Sequence, residues 1–377
     1  MKLRRIVAVS RKEFLHIIRD ARSLALALLL PFVMLVLFGY ALSLDVDQIP
    51  TVVYDRDNTP ESRDLVRQFS GSRYFKITSY LDSTAAIDRE IDRGAAILGV
   101  TLPENFGKDL QAGRTVKVQL LLDGSDSNTA SITLGYTDAL IQAYDLRLRS
   151  DAQIRKGAGE LKSPLDLRTR FMYNSNLKSR NYIVPGLIAV ILMIIASLLT
   201  SLTIAREWET GTMEQLLSTP IRPSELVLGK LSAYFALGMM DMLICLVVSV
   251  GLFDVPMRGN IVLLFVSCCI FLFGALSWGI MISASTRSQL MAYQLGIMSS
   301  FLPSFLLSGF IYAIQGMPLP IQLFTYLVPA RYFIVLLRGI FLKGVGAGVL
   351  VVELAFLTLY AVIIFMIASK KARQKIA

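Results

Sequence analysis

Four stretches of this chain carry no charged residue and are long enough to cross a bilayer: Ser23–Leu44, Asn181–Ala205, Gly259–Thr286 and Ser288–Ala330. A hydrocarbon core about 30 Å thick needs about 20 apolar residues of helix, so each block can span, and the last has room for more than one crossing. Two further blocks, Leu231–Phe253 and Gly344–Ser369, each hold one acid, Asp241 and Glu353. At 54% hydrophobic residues over 377 positions, the chain departs from the composition of a soluble multidomain protein. The fold class expected is a polytopic α-helical membrane protein.

The net charge of +10 resembles a nucleic-acid signal until its distribution is considered. Asp45–Arg180 holds nineteen acids and nineteen bases, so the whole excess lies beside the apolar blocks. That is the positive-inside pattern. No basic and aromatic interleaving marks a nucleic-acid groove. The three cysteines, Cys245, Cys268 and Cys269, all lie in apolar blocks, which argues against a disulfide framework or a zinc site. The lone histidine, His16, reads as an interfacial surface residue rather than a ligand or base.

Residues 1–22 form a basic amphipathic helix, with Leu3, Ile6, Val7, Phe14, Ile17 and Ile18 on one face, suited to the cytosolic headgroup region. A solvated N-terminal helix is the plainer alternative. Residues 23–44 are the first span. The Ala41-Leu42-Ser43 end imitates a cleavage site, but the run is too long for a signal peptide. Residues 45–180 form a soluble insert large enough for its own core. Strands are expected over Thr51–Tyr54, Tyr74–Thr78, Ala95–Val100 and Val116–Leu122. Helices are expected over Pro60–Phe69, Ala85–Arg93 and Ser125–Ser150, giving a small α/β domain outside the cytosol. The Asp123-Gly124-Ser125-Asp126 cluster reads as a capped strand-to-helix turn ahead of a calcium loop.

Further spans fall at 181–204, 231–253, 259–286, 288–313 and 345–369. Residues 314–344 form an outer re-entrant segment, because Gly309, Gly316, Pro318, Pro320 and Pro329 are too many breakers for one straight helix. The basic tail, 370–377, lies inside. Six spans with both termini cytosolic satisfy every flank.

No G-x-x-x-x-G-K-[ST] loop exists: Gly229-Lys230 has Ser224 where the first glycine is needed. The chain therefore binds no nucleotide cofactor of its own. Asp241 is the one acid deep in a span. It is an intramembrane polar candidate, for an ion relay or for a plain interhelical hydrogen bond. The remaining candidate is the cytosolic loop 205–230. Gly211–Ser218 fits two helical turns, with Thr212 and Gln215 in a capping-box spacing and Met213, Leu216 and Leu217 on one face. Pro220 and Pro223 keep this peg separate from the next span. Glu207, Glu209 and Glu214 make it locally acidic. Spacing alone leaves an ordinary interhelical loop as open as a docking peg for a partner groove.

At these residues a resemblance enters. AREWETGTMEQLLSTPIRPSELVLGK (Ala205–Lys230) resembles the cytosolic loop of ABC-2-type permeases, the membrane subunits of drug-exporter-like ATP-binding cassette transporters. LLSGFIYAIQGMPLPIQLFTYLVPARYF (from Leu306) is similar to that family's outer re-entrant region. YNSNLKSRNYIVPG (Tyr173–Gly186) fits the branch with a large extracytoplasmic domain, with Ser175 where a proline is expected. The resemblance implies that Glu207, Glu209, Gly211, Thr212, Glu214, Leu217, Thr219 and Pro220, with Met213 and Leu216 beside them, form a coupling helix on an ATPase subunit. It implies an outer gate at Gly309, Gly316, Pro318 and Pro329. It further implies a dimer with a second permease subunit, identical or a sister, in a bacterial inner membrane. ATP and Mg would sit on the partner ATPase, and the passenger would be drug-like or lipid-like, with a periplasmic adaptor left open. Against this stand an ion-coupled secondary transporter using Asp241 and a membrane-anchored receptor whose insert binds ligand.

Overall fold

The computed structural model describes residues 2–42, 47–155, 172–174 and 178–374. It falls into two compact units, residues 44–169 and the remainder. Ser175, Lys375 and the C-terminal end of the expected first span lie outside the described residues.

The chain begins with α1 (Leu3–Arg19) and α2 (Ala21–Ala41), the latter carrying Pro31 in its interior. The insert unit follows. Its strands β1 (Ile49–Asp55), β2 (Phe75–Tyr80), β3 (Leu98–Leu102) and β4 (Gln119–Leu122) form one sheet in the order β2-β1-β3-β4. β1 is parallel to β2 and β3, and β4 is antiparallel to β3. Helices α3 (Pro60–Gly71), α4 (Thr84–Asp92), α5 (Phe106–Gln111) and α6 (Ser127–Arg155) alternate with the strands. Central β3 is buried along its whole length, as a strand covered on both faces must be. One face packs Val53, Leu98 and Val100 with Leu65, Phe69, Phe106 and Tyr144; the other packs Val52 against Ile87 of α4. Burial raises the Tyr144 phenol to about 12. Asp123 caps the β4–α6 turn by accepting the Ser125 amide at 2.9 Å, and this bond holds its carboxyl below the usual range. That is the role expected of a turn.

The second unit continues with α7 (Ser179–Glu209), α8 (Thr212–Leu217), α9 (Pro223–Gly251), α10 (Ile261–Ser285) and α11 (Gln289–Leu306). It ends with α12 (Leu319–Thr325), α13 (Pro329–Arg338), a π-helical turn at Gly339–Lys343, and α14 (Val351–Gln374). Helices α7, α9, α10 and α14 are long and apolar enough to cross a membrane. A fifth span results if α12 and Pro329–Lys343, bent by 77°, count as one broken span. The expected span at 288–313 is shorter as a helix, because α11 stops at Leu306. Beyond it the chain bends through Gly309, whose φ is +80°.

α7 is the mast of this unit: 83% of its most apolar stretch is buried, against 22% for α14. Its seam with α10 and α11 is made of small residues, as close helix packing in lipid requires. A Cβ at Gly279 of α10 would stand 2.1 Å from Thr200 Oγ1, so only glycine fits there. The Thr200 hydroxyl donates across the seam to the Leu276 carbonyl at 2.9 Å. The Ile204 and Ala205 amides both reach Ser283 Oγ at 2.9 Å, fixing the last turns of α7 just before its polar end.

Candidate functional site

The polar end of α7 meets three other helices through one carboxylate. Glu207 Oε1 accepts Lys12 Nζ of α1 at 2.7 Å and Lys230 Nζ of α9 at 3.2 Å. Its Oε2 accepts the Thr212 hydroxyl at the start of α8. Lys230, with 1% of its side chain exposed, also binds Glu13 Oε1 of α1 at 2.7 Å. Glu13, Glu207 and Lys230 are thus paired where water is largely excluded, while Lys12 closes the cluster from its half-exposed edge. A pair in such a setting loses about 3–5 kcal/mol if one partner is removed, because the other charge stays buried. A further carboxylate strengthens the arrangement. Glu225, in the first turn of α9, accepts the Lys2 amide at 2.7 Å and its own Arg222 amide at 3.1 Å.

This geometry explains α1. Val9, Glu13 and Ile17 form the buried stripe at spacing i, i+4, i+8, and α1 lies so close to α9 that a Cβ at Gly229 would stand 2.6 Å from Val9 Cβ. Leu3, Val7, Phe14 and Ile18 remain exposed as a second apolar stripe. The single apolar face expected from the sequence is therefore divided: Ile17 faces protein, Ile6 is half-buried, and Leu3, Val7, Phe14 and Ile18 are exposed.

The peg is present as α8, six residues long, but its capping differs from expectation. Gly211, with φ +74°, is the N-cap, and no side chain caps the helix. Thr212 is not capping because its hydroxyl is spent on Glu207. The apolar face also points inward. Met213 is 2% exposed and packs with Val9 and Leu226, while Leu216 and Trp208 lean on the same cluster. The surface left to a partner is polar: Glu209, Gly211, Glu214, Gln215, Ser218, Thr219 and Pro220 are exposed. Glu209 is held by Gln289 Nε2 at 2.6 Å. The Leu217 side chain lies outside the described set.

Sequence reasoning missed Lys12, Glu13, Lys230 and Glu225. The available signal was Glu13, the sole acid of an otherwise basic helix, standing at helical spacing from Val9 and Ile17. Lys230 was visible only as the end of a failed phosphate loop.

At the other end of α7 a different tie forms. Arg338 of α13 lies over the Tyr182 ring at 3.4 Å and donates to the Gly309 carbonyl at 3.3 Å. Tyr182 Oη reaches the same carbonyl at 3.5 Å. Gly309 thereby shapes the bend after α11. Gly316 closes the short 3-10 turn Ile314–Gly316, Pro318 is the N-cap of α12, and Pro329 opens α13. Asp241 stands apart in mid α9, fully buried, with neither carboxylate oxygen hydrogen-bonded. Among the described residues no group of His, Cys, Asp or Glu is placed to hold a metal ion.

The sequence matches the profile of ABC-2 family transporter proteins over residues 21–370. The chain belongs to that family. It is 36% identical to the probable multidrug ABC transporter permease YbhS of Escherichia coli K12, over 99% of this chain and 98% of that protein. It is 29% identical to the probable multidrug ABC transporter permease YbhR of the same organism, over 92% of each chain. ABC transporter G family member 20 of Dictyostelium discoideum is 26% identical over 96% of this chain but 49% of its own length. An ABC-2 permease is a multi-pass membrane protein, which agrees with the apolar helices of the second unit.

Proposed function

We propose that this ABC-2 permease is the membrane subunit of an ATP-driven exporter in a bacterial cytoplasmic membrane. In this reading α2, α7, α9, α10, α11 and α14 are six spans, both termini are cytosolic, and the insert unit is extracytoplasmic. A separate ATPase subunit, holding ATP and Mg, docks on the exposed side of α8, and a second permease subunit completes the pathway. The passenger is amphiphilic or hydrophobic, in keeping with the multidrug names of the relatives.

The observation that carries this reading is the Glu207 junction. A peg meant to transmit force must not rotate on its own. Thr212 at its first residue is bonded to a carboxylate that α1 and α9 also grip. A push on Glu214 or Gln215 therefore moves α7 and α9 together as packed bodies. Glu214→Lys reverses charge on the exposed side without touching the junction. Co-purification of the cognate ATPase with this variant is expected to fall at least about tenfold, while membrane insertion stays as in wild type. Undiminished ATPase capture and export in Glu214→Lys would remove α8 from the docking surface.

A second reading rests on Asp241, whose buried carboxylate has no hydrogen-bond partner. If it carries a coupling ion, Asp241→Asn abolishes export at any ATP level. The exporter reading expects Asp241→Asn to retain ATP-dependent export.

A further inference from the structure

Beside the Glu207 junction the second unit holds a cavity of about 610 Å³, within the range of pockets that take small molecules. Its walls change character along α7. Ile195, Leu198, Leu199 and Leu202 of α7 line it together with Ala27 and Leu30 of α2. One turn further on, Arg206 and Glu207 join Lys12 and Glu13 of α1, Asp20 at the end of α1, and Lys230 of α9. From Ile195 to Arg206 the wall rises roughly 16 Å along α7, too long for a compact ion.

The charges of the polar end cancel. Counted at pH 7 with His16 neutral, the lining carries three bases and three acids and no net charge. Glu207 is bound by Lys12 and Lys230, and Glu13 by Lys230. Arg206 meets the Gln289 amide oxygen at 3.4 Å and the His16 ring at 3.3 Å, and Asp20 is also partnered. A head with a net charge gives up hydration on entering and finds no excess of the opposite sign in return. A head that is neutral overall brings no such charge, and its dipoles meet donors and acceptors of both signs. A wholly apolar occupant would strip water from the polar end without replacing its hydrogen bonds. A free ion gains nothing from the apolar walls.

We propose that this cavity is a binding site for an amphiphile without net charge, its head at the level of Arg206 and Asp20 and its apolar chain between α2 and α7. The assignment goes beyond the exporter reading and does not need it, since it concerns occupancy of a site in the permease alone.

The test uses the full chain, without any ATPase, in nanodiscs of phosphatidylcholine and phosphatidylglycerol in equal parts. Three photoactivatable lipids share one acyl chain and one diazirine position and differ in the head: phosphocholine, phosphoglycerol or trimethylammonium. Labelling of residues 195–202 of α7 is read as a ratio to labelling at Leu359 and Met366, exposed residues of α14. The phosphocholine probe is expected to give a ratio at least about fivefold that of either charged twin, because only the twins bring an unmatched charge. Arg206→Gln removes one base from the lining and should move the preference toward the trimethylammonium head. Asp20→Asn removes one acid and should move it toward the phosphoglycerol head. Shifts of opposite sign from two neighbouring substitutions do not arise from misfolding. Wild-type labelling as strong with either charged twin as with phosphocholine would overturn the proposal whether or not the variants fold. So would a shift of both variants in one direction. A Leu30→Cys disulfide between two chains, with no labelling of residues 195–202 by any probe, would mean that a second copy fills the space and would overturn it as well. Because no ATPase is present, failure here leaves docking at α8 untouched, and failure of docking leaves this labelling unchanged.

Discussion

The two ends of α7 are tied by opposite means. At Glu207 full charges meet full charges, with the carboxylates and Lys230 buried and both Glu207 oxygens engaged. At Tyr182, roughly 38 Å away along the helix, a single cation rests on an aromatic ring and two backbone carbonyls, with no acid beside it among the described residues. A buried ion network has one arrangement and a steep penalty for any other. A guanidinium over a ring and a carbonyl slides at little cost, since cation–π contacts are worth about 0.5–2 kcal/mol. One end of the mast is thus held by buried charge, the other by apolar packing and the contacts of one guanidinium with a ring and two carbonyls.

The largest break in this contrast is expected from Lys230→Met. It leaves Glu13 and Glu207 facing each other with only Lys12 between them and should cost about 3–5 kcal/mol. The readout is a lowered midpoint in thermal unfolding of the detergent-solubilised chain. Adding Glu13→Gln and Glu207→Gln to Lys230→Met should recover much of the loss, because no buried charge is then left alone. Failure of that recovery would mean that packing, not charge, holds the junction.

Gly229→Leu tests the same end by shape. The added side chain must displace Val9 and Ile6 of α1, so α1 should detach while α9 stays inserted. Protease cleavage within the first 20 residues should rise several-fold over wild type. Unchanged protection would show that α1 does not depend on close approach to α9.

The smallest effect is expected at the other end. Arg338→Gln should lower stability by about 1–2 kcal/mol, through loss of the ring contact and the carbonyl bond. It should alter transport more than ATPase capture. A stability loss as large as that of Lys230→Met would erase the contrast between the two ends.

The parts of the molecule that were legible in the sequence obey local rules. Hydropathy marks α7, α9, α10 and α14, because lipid selects residues one helix at a time. Short apolar runs mark β1 and β3, because a strand covered on both faces reads as a continuous hydrophobic segment. Short α5 escaped because its six residues include Gly107 and follow Pro103, both poor helix signals. The direction of the α8 face escaped for another reason. The spacing of Met213 and Leu216 says that they share a side, but only tertiary packing decides that this side turns toward Val9. The junction was illegible because its α1 members lie 195 and 217 residues from the groups they bind on α7 and α9, a range that no periodicity reaches.

That separation has a consequence for how the protein is made. Glu13 leaves the ribosome 217 residues before Lys230, the base it will grip. For most of its synthesis the nascent chain carries an acid on the stripe of α1 that will later be buried, with its partner not yet in existence. Closing the junction therefore joins the earliest helix to the middle of the chain in one event. A chain truncated before residue 230 never completes it, and that exposed acid distinguishes an unfinished permease from a finished one.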